Sequence, residues 1–254
     1  MKPAILACCL AMIATAANGA ETKPVGELSL HDFAAKWMMQ QDDLAERGRY
    51  REANRALLAT ADPRPRVVLM GDSITFHWMT EELPAGDRVF LVNRGISGQN
   101  TSQMLLRFED DVIALKPAAV IILGGTNDLR AYAGDPAAAG AAAIDRIVGN
   151  ITAMADIAQG RGVKVILAAV PPIGNDQSLT RDPAAIVKLN DRLKALAAAR
   201  LYPFADYYAA LADSQGTLPA ALSSDGLHPN AGGYHLMEPK LKAALAGLGL
   251  MQRD

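Results

Sequence analysis

The chain has 254 residues, half of them hydrophobic, and its 25 Lys and Arg residues against 27 Asp and Glu give a formal net charge of −2. This length and composition fit one globular domain with a sizeable core and modest extensions. No basic surplus is available to neutralise a phosphate backbone, so the charge argues against nucleic acid as a partner.

Residues 1–20 have the pattern of a cleaved secretory signal. Lys2 supplies a positive charge, an apolar run covers 5–17, and small residues end the segment. The run is shorter than the roughly 20 apolar residues that span a bilayer, so we expect no stable membrane insertion and a periplasmic or secreted product. Cleavage would remove both cysteines, Cys8 and Cys9, and leave no thiol for a disulfide or a metal site.

Residues 21–65 are predicted to form a helical lead-in to the first strand. The part at 30–60 is polar and helix-prone, Gly48 interrupts it, and Pro63 and Pro65 end it. We expect this segment to pack on the outside of the sheet.

From residue 66 onward, short apolar runs alternate with helical patterns. Strands are predicted at 67–70, 89–93, 119–123 and 163–170, with a weak fifth at 202–205. Helices are predicted at 101–115, 137–159, 183–200 and 232–246, and Pro239 is expected to kink or split the last one. Strands separated by such helices pair in parallel through right-handed crossovers, so we predict an α/β fold: a doubly wound parallel sheet of about five strands flanked by helices.

The first strand ends in residues that can present a reactive side chain. Gly71 can adopt backbone angles that other residues avoid, and Asp72 suits a tight turn. Ser73 then lies at the carboxyl end of a sheet strand, where open α/β sheets bind ligands. Taken alone, the pattern is equally consistent with Ser73 only capping a helix that begins near Ile74.

Two further strands end in polar, glycine-containing loops. The loop NRGISGQNT at 93–101 follows the second strand and can direct backbone N–H groups toward a developing negative charge. The loop GGTND at 124–128 follows the third strand and brings Asn127 to the same edge, where it could instead be only a turn residue. Three such loops at one edge of the sheet favour a functional site there.

The choice of a general base is narrow, because the chain has only four histidines: His31, His77, His228 and His235. His31 and His235 fall in predicted helices, where structural roles are more common. His77 follows Ser73 by one helical turn and could approach it. His228 is better placed, because Asp225, three residues earlier, can accept a hydrogen bond from its ring and fix its tautomer.

The four blocks GDSIT at 71–75, NRGISGQNT at 93–101, GGTND at 124–128 and DGLHPN at 225–230 resemble those of the SGNH hydrolases, also called GDSL-type lipases and acylhydrolases. The second and third blocks are most similar to the branch that contains bacterial relatives of the platelet-activating-factor acetylhydrolase catalytic subunit. The resemblance implies a flavodoxin-like three-layer α/β/α catalytic domain over 66–254 and a serine esterase that needs no cofactor.

The resemblance also implies the roles of individual residues. Ser73 would be the nucleophile, His228 the general base and Asp225 its carboxylate partner. The oxyanion hole would consist of the backbone N–H groups of Ser73 and Gly98 and the side-chain amide of Asn127.

Other residues are expected to have no catalytic role. Gln99 replaces an Asp that many relatives carry, which is expected to change loop packing but removes no catalytic group. Ser97 lies in GISG rather than in the G-x-S-x-G elbow of α/β-hydrolases. Asp72 and Asp128 are expected in turn or surface roles, because no His or Cys cluster has the spacing of metal ligands.

The expected partner is a small-molecule ester. Aromatic residues make up only 5% of the chain, and no long apolar helix suggests a lid for bulk lipid. We therefore expect short-acyl esters, including acetyl groups on carbohydrate. The loop PPIGNDQSLTRD at 171–182 forms either part of a substrate pocket or a solvated connection. Acyl transfer to a sugar hydroxyl by the same residues is an alternative function, and so is non-catalytic surface binding, against which the intact Ser73, Asp225 and His228 argue.

Overall fold

The computed structural model describes residues 43–78, 88–130 and 136–251, apart from the side chains of 136–139 and 178–179. The predicted signal at 1–20 lies outside these ranges, as does the lead-in up to residue 42. Within them the strands are β1 (Arg66–Gly71), β2 (Phe90–Gly95), β3 (Ala119–Leu123), β4 (Lys164–Ala168) and β5 (Phe204–Ala205). They form one parallel sheet in the order β2-β1-β3-β4-β5. The predicted doubly wound, flavodoxin-like fold is confirmed.

Helices cover both faces of this sheet. They are α1 (Arg51–Ala59), α2 (Ser73–Phe76), α3 (Thr101–Leu106), α4 (Phe108–Asp111), α5 (Pro136–Gly160), α6 (Pro183–Arg200), α7 (Tyr207–Leu211) and α8 (Ala231–Gly247). Two 3₁₀ turns, Ile113–Leu115 and Asn175–Leu179, complete the described elements.

The alternation of side chains along β1 divides the core into two layers. Val68 and Met70 pack with buried residues of α3 to α6, whereas Val67 and Leu69 pack with those of α2, α7 and α8. All four are essentially inaccessible to solvent, as a strand buried on both faces requires. In the pairing register, Gly71 lies beside Gly95 on β2 and beside Leu123 on β3. The three strands therefore end together, and the loops that follow them meet at one edge.

The prediction of a single helix over 101–115 is wrong. The chain leaves helical geometry at Arg107, where φ is −103° and ψ is 5°, and again at Val112, so that α3, α4 and a 3₁₀ turn replace one helix. Arg107 is completely buried and its guanidinium bonds to acceptors beneath the loops, among them Gly71 O. The break in the helix allows the Arg107 side chain to point inward. In a continuous helix the same position would face solvent.

Helix α8 continues through Pro239, so the expected split does not occur. Proline has no N–H, so the carbonyl four residues earlier loses its helical hydrogen bond. The loss of stability is smaller where that carbonyl can reach solvent. Pro239 is on the exposed face, whereas Met237 and Leu241 are buried against the sheet. Packing of the apolar face holds the helix across the proline.

The lead-in does more than cover the sheet. In its described part, helix α1 follows turns at 43–50 around Gly48. Two backbone carbonyls of these turns accept hydrogen bonds from the region after β2: Ala45 O from Gln99 Nε2 at 2.7 Å and Leu44 O from Gln103 Nε2 at 2.7 Å. The lead-in is therefore bonded directly to the second of the three loops.

Candidate active site

The turn after β1 fixes the position of Ser73. Asp72 caps α2, with its Oδ1 accepting from the Ile74 N–H at 2.9 Å, and Ser73 is the first residue of that helix. Gly71 does not have the positive φ for which a glycine was expected. It is required by close packing, because a Cβ there would lie 2.9 Å from Leu123 O and would also collide with Thr75.

Ser73, His228 and Asp225 form a continuous hydrogen-bonded chain. Ser73 Oγ lies 2.8 Å from His228 Nε2, and His228 Nδ1 lies 2.6 Å from Asp225 Oδ2. An ionised carboxylate can only accept, so Nδ1 carries the proton and Nε2 is the acceptor for the serine hydroxyl. Residues separated by about 150 positions in the chain are thus arranged for proton transfer away from Ser73.

The turn at 225–228 orients both the carboxylate and the imidazole. Asp225 Oδ1 accepts from the backbone N–H groups of Leu227, at 2.9 Å, and His228, at 2.8 Å, while Gly226 takes a φ of +70° that favours glycine. Partial burial would raise the pKa of Asp225, but hydrogen bonds from the His228 backbone and ring and from the Leu227 N–H outweigh it and hold that pKa well below its usual range. Asp225 therefore stays ionised at neutral pH.

The other described histidines lie apart from the serine hydroxyl. The His77 ring meets His228 edge-on, with centroids 5.4 Å apart, so it contacts the imidazole of His228. Burial, together with the nearby His228, lowers the pKa of His77. His235 is exposed on α8 and lies 3.8 Å from the Glu238 carboxylate. His31 lies outside the described residues.

The groups expected in the oxyanion hole lie on the loops around Ser73. Gly98 has a φ of +80° and is exposed at the loop surface. Within the described ranges, neither Ser73 N–H nor Gly98 N–H donates to a backbone carbonyl. Asn127 Nδ2 donates to Gln99 O at 3.0 Å, which uses one of its two N–H groups. Its second N–H makes no hydrogen bond to another described residue.

The loop at 171–182 is not merely a solvated connection. Its first four residues are buried, and Gln177 Nε2 donates to Asp225 O at 2.8 Å. At its other end Arg181 is buried, with Nε donating to Thr126 O at 2.8 Å and an Nη lying 3.4 Å from Asn127 Oδ1. This loop therefore braces both the Asp225 turn and the Asn127 amide. Sequence reasoning missed Arg181, because nothing in the pattern around it marks a tertiary contact.

Asp72 is buried, contrary to the expectation of a surface position, although its turn role is confirmed. Its side chain is almost fully buried, and Oδ2 has no hydrogen-bond partner among the described residues. Burial raises the pKa of Asp72 to about 6. The hydrogen bond from the Ile74 N–H and the nearby His228 act in the opposite direction and lower this pKa. Asp128 is bound to α3, where it accepts from both the N–H and the hydroxyl of Thr101.

The described part of the chain contains no group of three or more His, Cys, Asp or Glu side chains placed to hold a metal ion. No helix within those ranges is long and apolar enough to cross a bilayer.

Two grooves of about 640 Å³ each lie beside α1, and neither is lined by Ser73, Asp225 or His228.

A hydrogen-bonded serine, histidine and aspartate at the carboxyl edge of a doubly wound sheet is the arrangement that serine hydrolases use. Residues 69–236 match the model of the GDSL-like lipase/acylhydrolase family. A GDSL-like lipase from Bacteroides thetaiotaomicron is similar over 80% of this chain and 98% of its own, with 35% identity and a TM-score of 0.69. The chain belongs to the GDSL-like lipase/acylhydrolase family, and it is a carboxylic ester hydrolase.

More distant structures share the fold. A Streptococcus pneumonia structure named for platelet activating factor is 23% identical, with a TM-score of 0.66, over 84% of this chain and 99% of its own. An acetylxylan esterase from Geobacillus stearothermophilus is 22% identical, with a TM-score of 0.58, over 75% of this chain and 97% of its own. Comparison with curated proteins gives no match.

Proposed function

We propose that the protein hydrolyses short-acyl carboxylic esters through an acyl-enzyme on Ser73. The observation that carries this proposal is the chain from Ser73 Oγ through the His228 ring to Asp225, with contacts of 2.8 and 2.6 Å. A serine hydroxyl is a weak nucleophile at neutral pH, and a hydrogen-bonded imidazole whose other nitrogen donates to a carboxylate is the usual means of activating it.

In the acylation step, Ser73 Oγ attacks the ester carbonyl carbon while His228 Nε2 takes the hydroxyl proton. The imidazolium is stabilised by ionised Asp225 and returns the proton to the oxygen of the leaving alcohol as the C–O bond breaks. Water then attacks the acyl carbon and gives a proton to Nε2, which passes it to Ser73 Oγ as the C–Oγ bond breaks and the carboxylic acid leaves. The reaction requires no other cofactor or co-reactant.

The oxyanion of each tetrahedral intermediate would be met by the N–H groups of Ser73 and Gly98 and by Asn127 Nδ2. Two features support this assignment for Asn127. Its amide is held on one side by Gln99 O, and on the other its Oδ1 faces the Arg181 guanidinium at 3.4 Å. A donor fixed before substrate binds needs no reorganisation during the reaction, which is the condition for a large electrostatic contribution.

Asn127→Ala is expected to lower kcat about 100- to 1000-fold, roughly 3 to 4 kcal/mol, with little change in KM, because the lost donor acts mainly on the transition state. Steady-state kinetics with p-nitrophenyl acetate measures both constants. Asn190→Ala is a suitable control, since Asn190 is a buried amide whose hydrogen bonds go to the backbone of Val170. A rise in KM with unchanged kcat in Asn127→Ala would contradict the assignment.

The substrate class rests on the low aromatic content and on the absence of a long apolar helix that suggests a lid. Acetyl esters of carbohydrate fall within this class. A short acyl group requires only a small pocket, whereas the chain of a lipid ester would need an extended apolar channel.

The test is hydrolysis of p-nitrophenyl acetate, butyrate and octanoate by the wild-type protein. We expect kcat/KM to fall by at least about tenfold from acetate to octanoate, since a small pocket excludes the longer chain at a cost per methylene. Ser73→Ala sets the background rate, and Ser97→Ala is the control for an exposed serine of the second loop. Preference for octanoate would overturn the short-acyl proposal, and full activity in Ser73→Ala would overturn the mechanism.

A further inference from the structure

Besides Arg181, two further arginines, Arg94 and Arg107, are buried beneath the loops, and a buried charge is costly unless it is paired and hydrogen-bonded. Arg107 is completely buried and Arg94 is 6% exposed. Neither touches Ser73, His228 or Asp225, and the proposed chemistry assigns no role to either.

The Arg107 guanidinium bonds to four different groups. Nε donates to Gln99 Oε1 at 2.6 Å, and one Nη donates to Gly71 O at 2.9 Å. The other Nη donates to Arg94 O at 2.9 Å and to Asp111 Oδ2 at 3.0 Å. Only the planar fork of arginine can satisfy acceptors in so many directions from one position.

Two of these acceptors, Gly71 O and Gln99 Oε1, belong to residues that lie close to the proposed oxyanion donors in the chain. Gly71 O belongs to the last residue of β1, two positions before Ser73, and it also accepts from the Ile96 N–H of the second loop at 3.1 Å. Gln99 follows Gly98, and its carbonyl is the acceptor for Asn127 Nδ2. Arg107 is therefore hydrogen-bonded to Gly71 O and to the Gln99 side chain, and the Gln99 backbone is hydrogen-bonded to Asn127.

We propose that Arg107, acting through Gln99, is the positioning residue that keeps the three oxyanion donors in register. This inference rests on the proposed function of Ser73, Gly98 and Asn127. Arg107 contacts neither substrate nor reacting atoms, so its effect is on the distances between donors. A displacement of about 1 Å in such a site can lower the rate by as much as 100-fold. The effect is expected in kcat and not in KM, because the oxyanion exists only in the transition state and intermediates.

Arg94 provides a matched control. It is a buried arginine of the same cluster, but its side chain bonds to Asn54 Oδ1 at 2.8 Å and to the carbonyl of its neighbour Asn93, and its guanidinium lies over the Tyr50 ring. None of these groups belongs to the proposed oxyanion hole. The bond from Arg107 to Arg94 uses the backbone carbonyl, which Arg94→Met retains.

The experiment compares Arg107→Met, Arg107→Lys and Arg94→Met with the wild type and Ser73→Ala on p-nitrophenyl acetate, with thermal unfolding of each. Both methionine variants are expected to unfold at a lower temperature. Arg107→Met is expected to lose about 10- to 100-fold in kcat with KM within about threefold of the wild-type value, Arg107→Lys to recover part of the loss, and Arg94→Met to keep kcat within about threefold.

If Arg107→Met does not fold, Gln99→Leu decides the question, because it removes the acceptor at the second loop and leaves the Arg107–Asp111 pair intact. Gln99→Leu also removes the bond to Ala45 O. Gln103→Leu is the control for that loss, because it removes the bond to Leu44 O together with the bond from the Asn100 N–H. A kcat loss in Gln99→Leu but not in Gln103→Leu supports the proposal. Unchanged kcat in Arg107→Met, or equal losses in Arg107→Met and Arg94→Met, would overturn it. Activity in Ser73→Ala would instead overturn the proposed function itself.

Discussion

Ser73→Ala, His228→Ala and the double variant are each expected to lower kcat by a similar factor, about 10⁴ to 10⁶. The reason is that the serine and the histidine act as one unit. Without Nε2 to take its proton, the Ser73 hydroxyl is not an effective nucleophile, and without the hydroxyl the imidazole has no covalent step to assist. Once either side chain has been removed, removal of the other is expected to lower kcat only slightly further. Single-turnover and steady-state rates of all three variants with p-nitrophenyl acetate measure this non-additivity.

His77→Ala is the control for this set, because its ring lies beside His228, with centroids 5.4 Å apart, and makes no bond to the serine hydroxyl. It is expected to keep kcat within about tenfold of the wild-type value. Strictly additive losses in the double variant, or a loss in His77→Ala as large as in His228→Ala, would show that His228 is not the base for Ser73.

Asp225→Asn is expected to lower kcat by about 10⁴-fold, since an amide can donate to Nδ1 and so favour the tautomer in which Nε2 carries the proton. That tautomer cannot accept from Ser73 Oγ. The substitution keeps an Oδ1 that can accept from the Leu227 and His228 N–H groups, so the turn at 225–228 should retain its shape. Kinetics and thermal unfolding measured on the same preparation separate a tautomer effect from a folding defect.

Ser223→Ala serves as the control for Asp225→Asn, because Ser223 Oγ bonds to Asp225 Oδ1 at 3.1 Å without reaching the imidazole. We expect at most about a tenfold loss of kcat in this variant. Asp225→Asn with a kcat near that of the wild type would remove Asp225 from the proposed mechanism.

The layered fold could be predicted from the sequence because its signals are local. Continuous apolar runs at 67–70 and 119–123 indicate strands buried on both faces, and the proline at position 183 after Asp182 marks the start of α6. Connections of helical length then leave parallel pairing as the only simple topology. The loops at the strand ends could be assigned to one edge for the same reason.

The contacts that hold the candidate site in place could not be predicted, because they join residues that are distant in the sequence and meet only in the folded chain. Arg107 reads as one polar position of an amphipathic helix, yet it is buried and breaks that helix. Arg181 reads as a loop residue, and its contact with Asn127 joins positions 54 residues apart. In the sequence, Gln99 stands out only as a departure from the motif of the family it resembles, whereas in the structure it bonds to Ala45 O.

Gln99 also explains how the lead-in contributes to the site. Its side-chain amide donates to Ala45 O with one end and accepts from Arg107 with the other. An aspartate has no N–H donor, so it could not make the bond to the Ala45 carbonyl. The segment before β1 is therefore joined to the second loop through the Gln99 side chain.

The role of Ser73 as the nucleophile is tested most directly by covalent labelling with diisopropyl fluorophosphate, followed by peptide mapping and an assay of residual activity. We expect one label per chain, located on Ser73, with esterase activity lost in proportion to labelling and with no labelling of Ser73→Ala. Labelling is expected to be much slower in His228→Ala, because the same base activates the serine toward the phosphorus centre. Stoichiometric label on another residue such as Ser97, or full activity after complete modification of Ser73, would show that Ser73 is not the nucleophile.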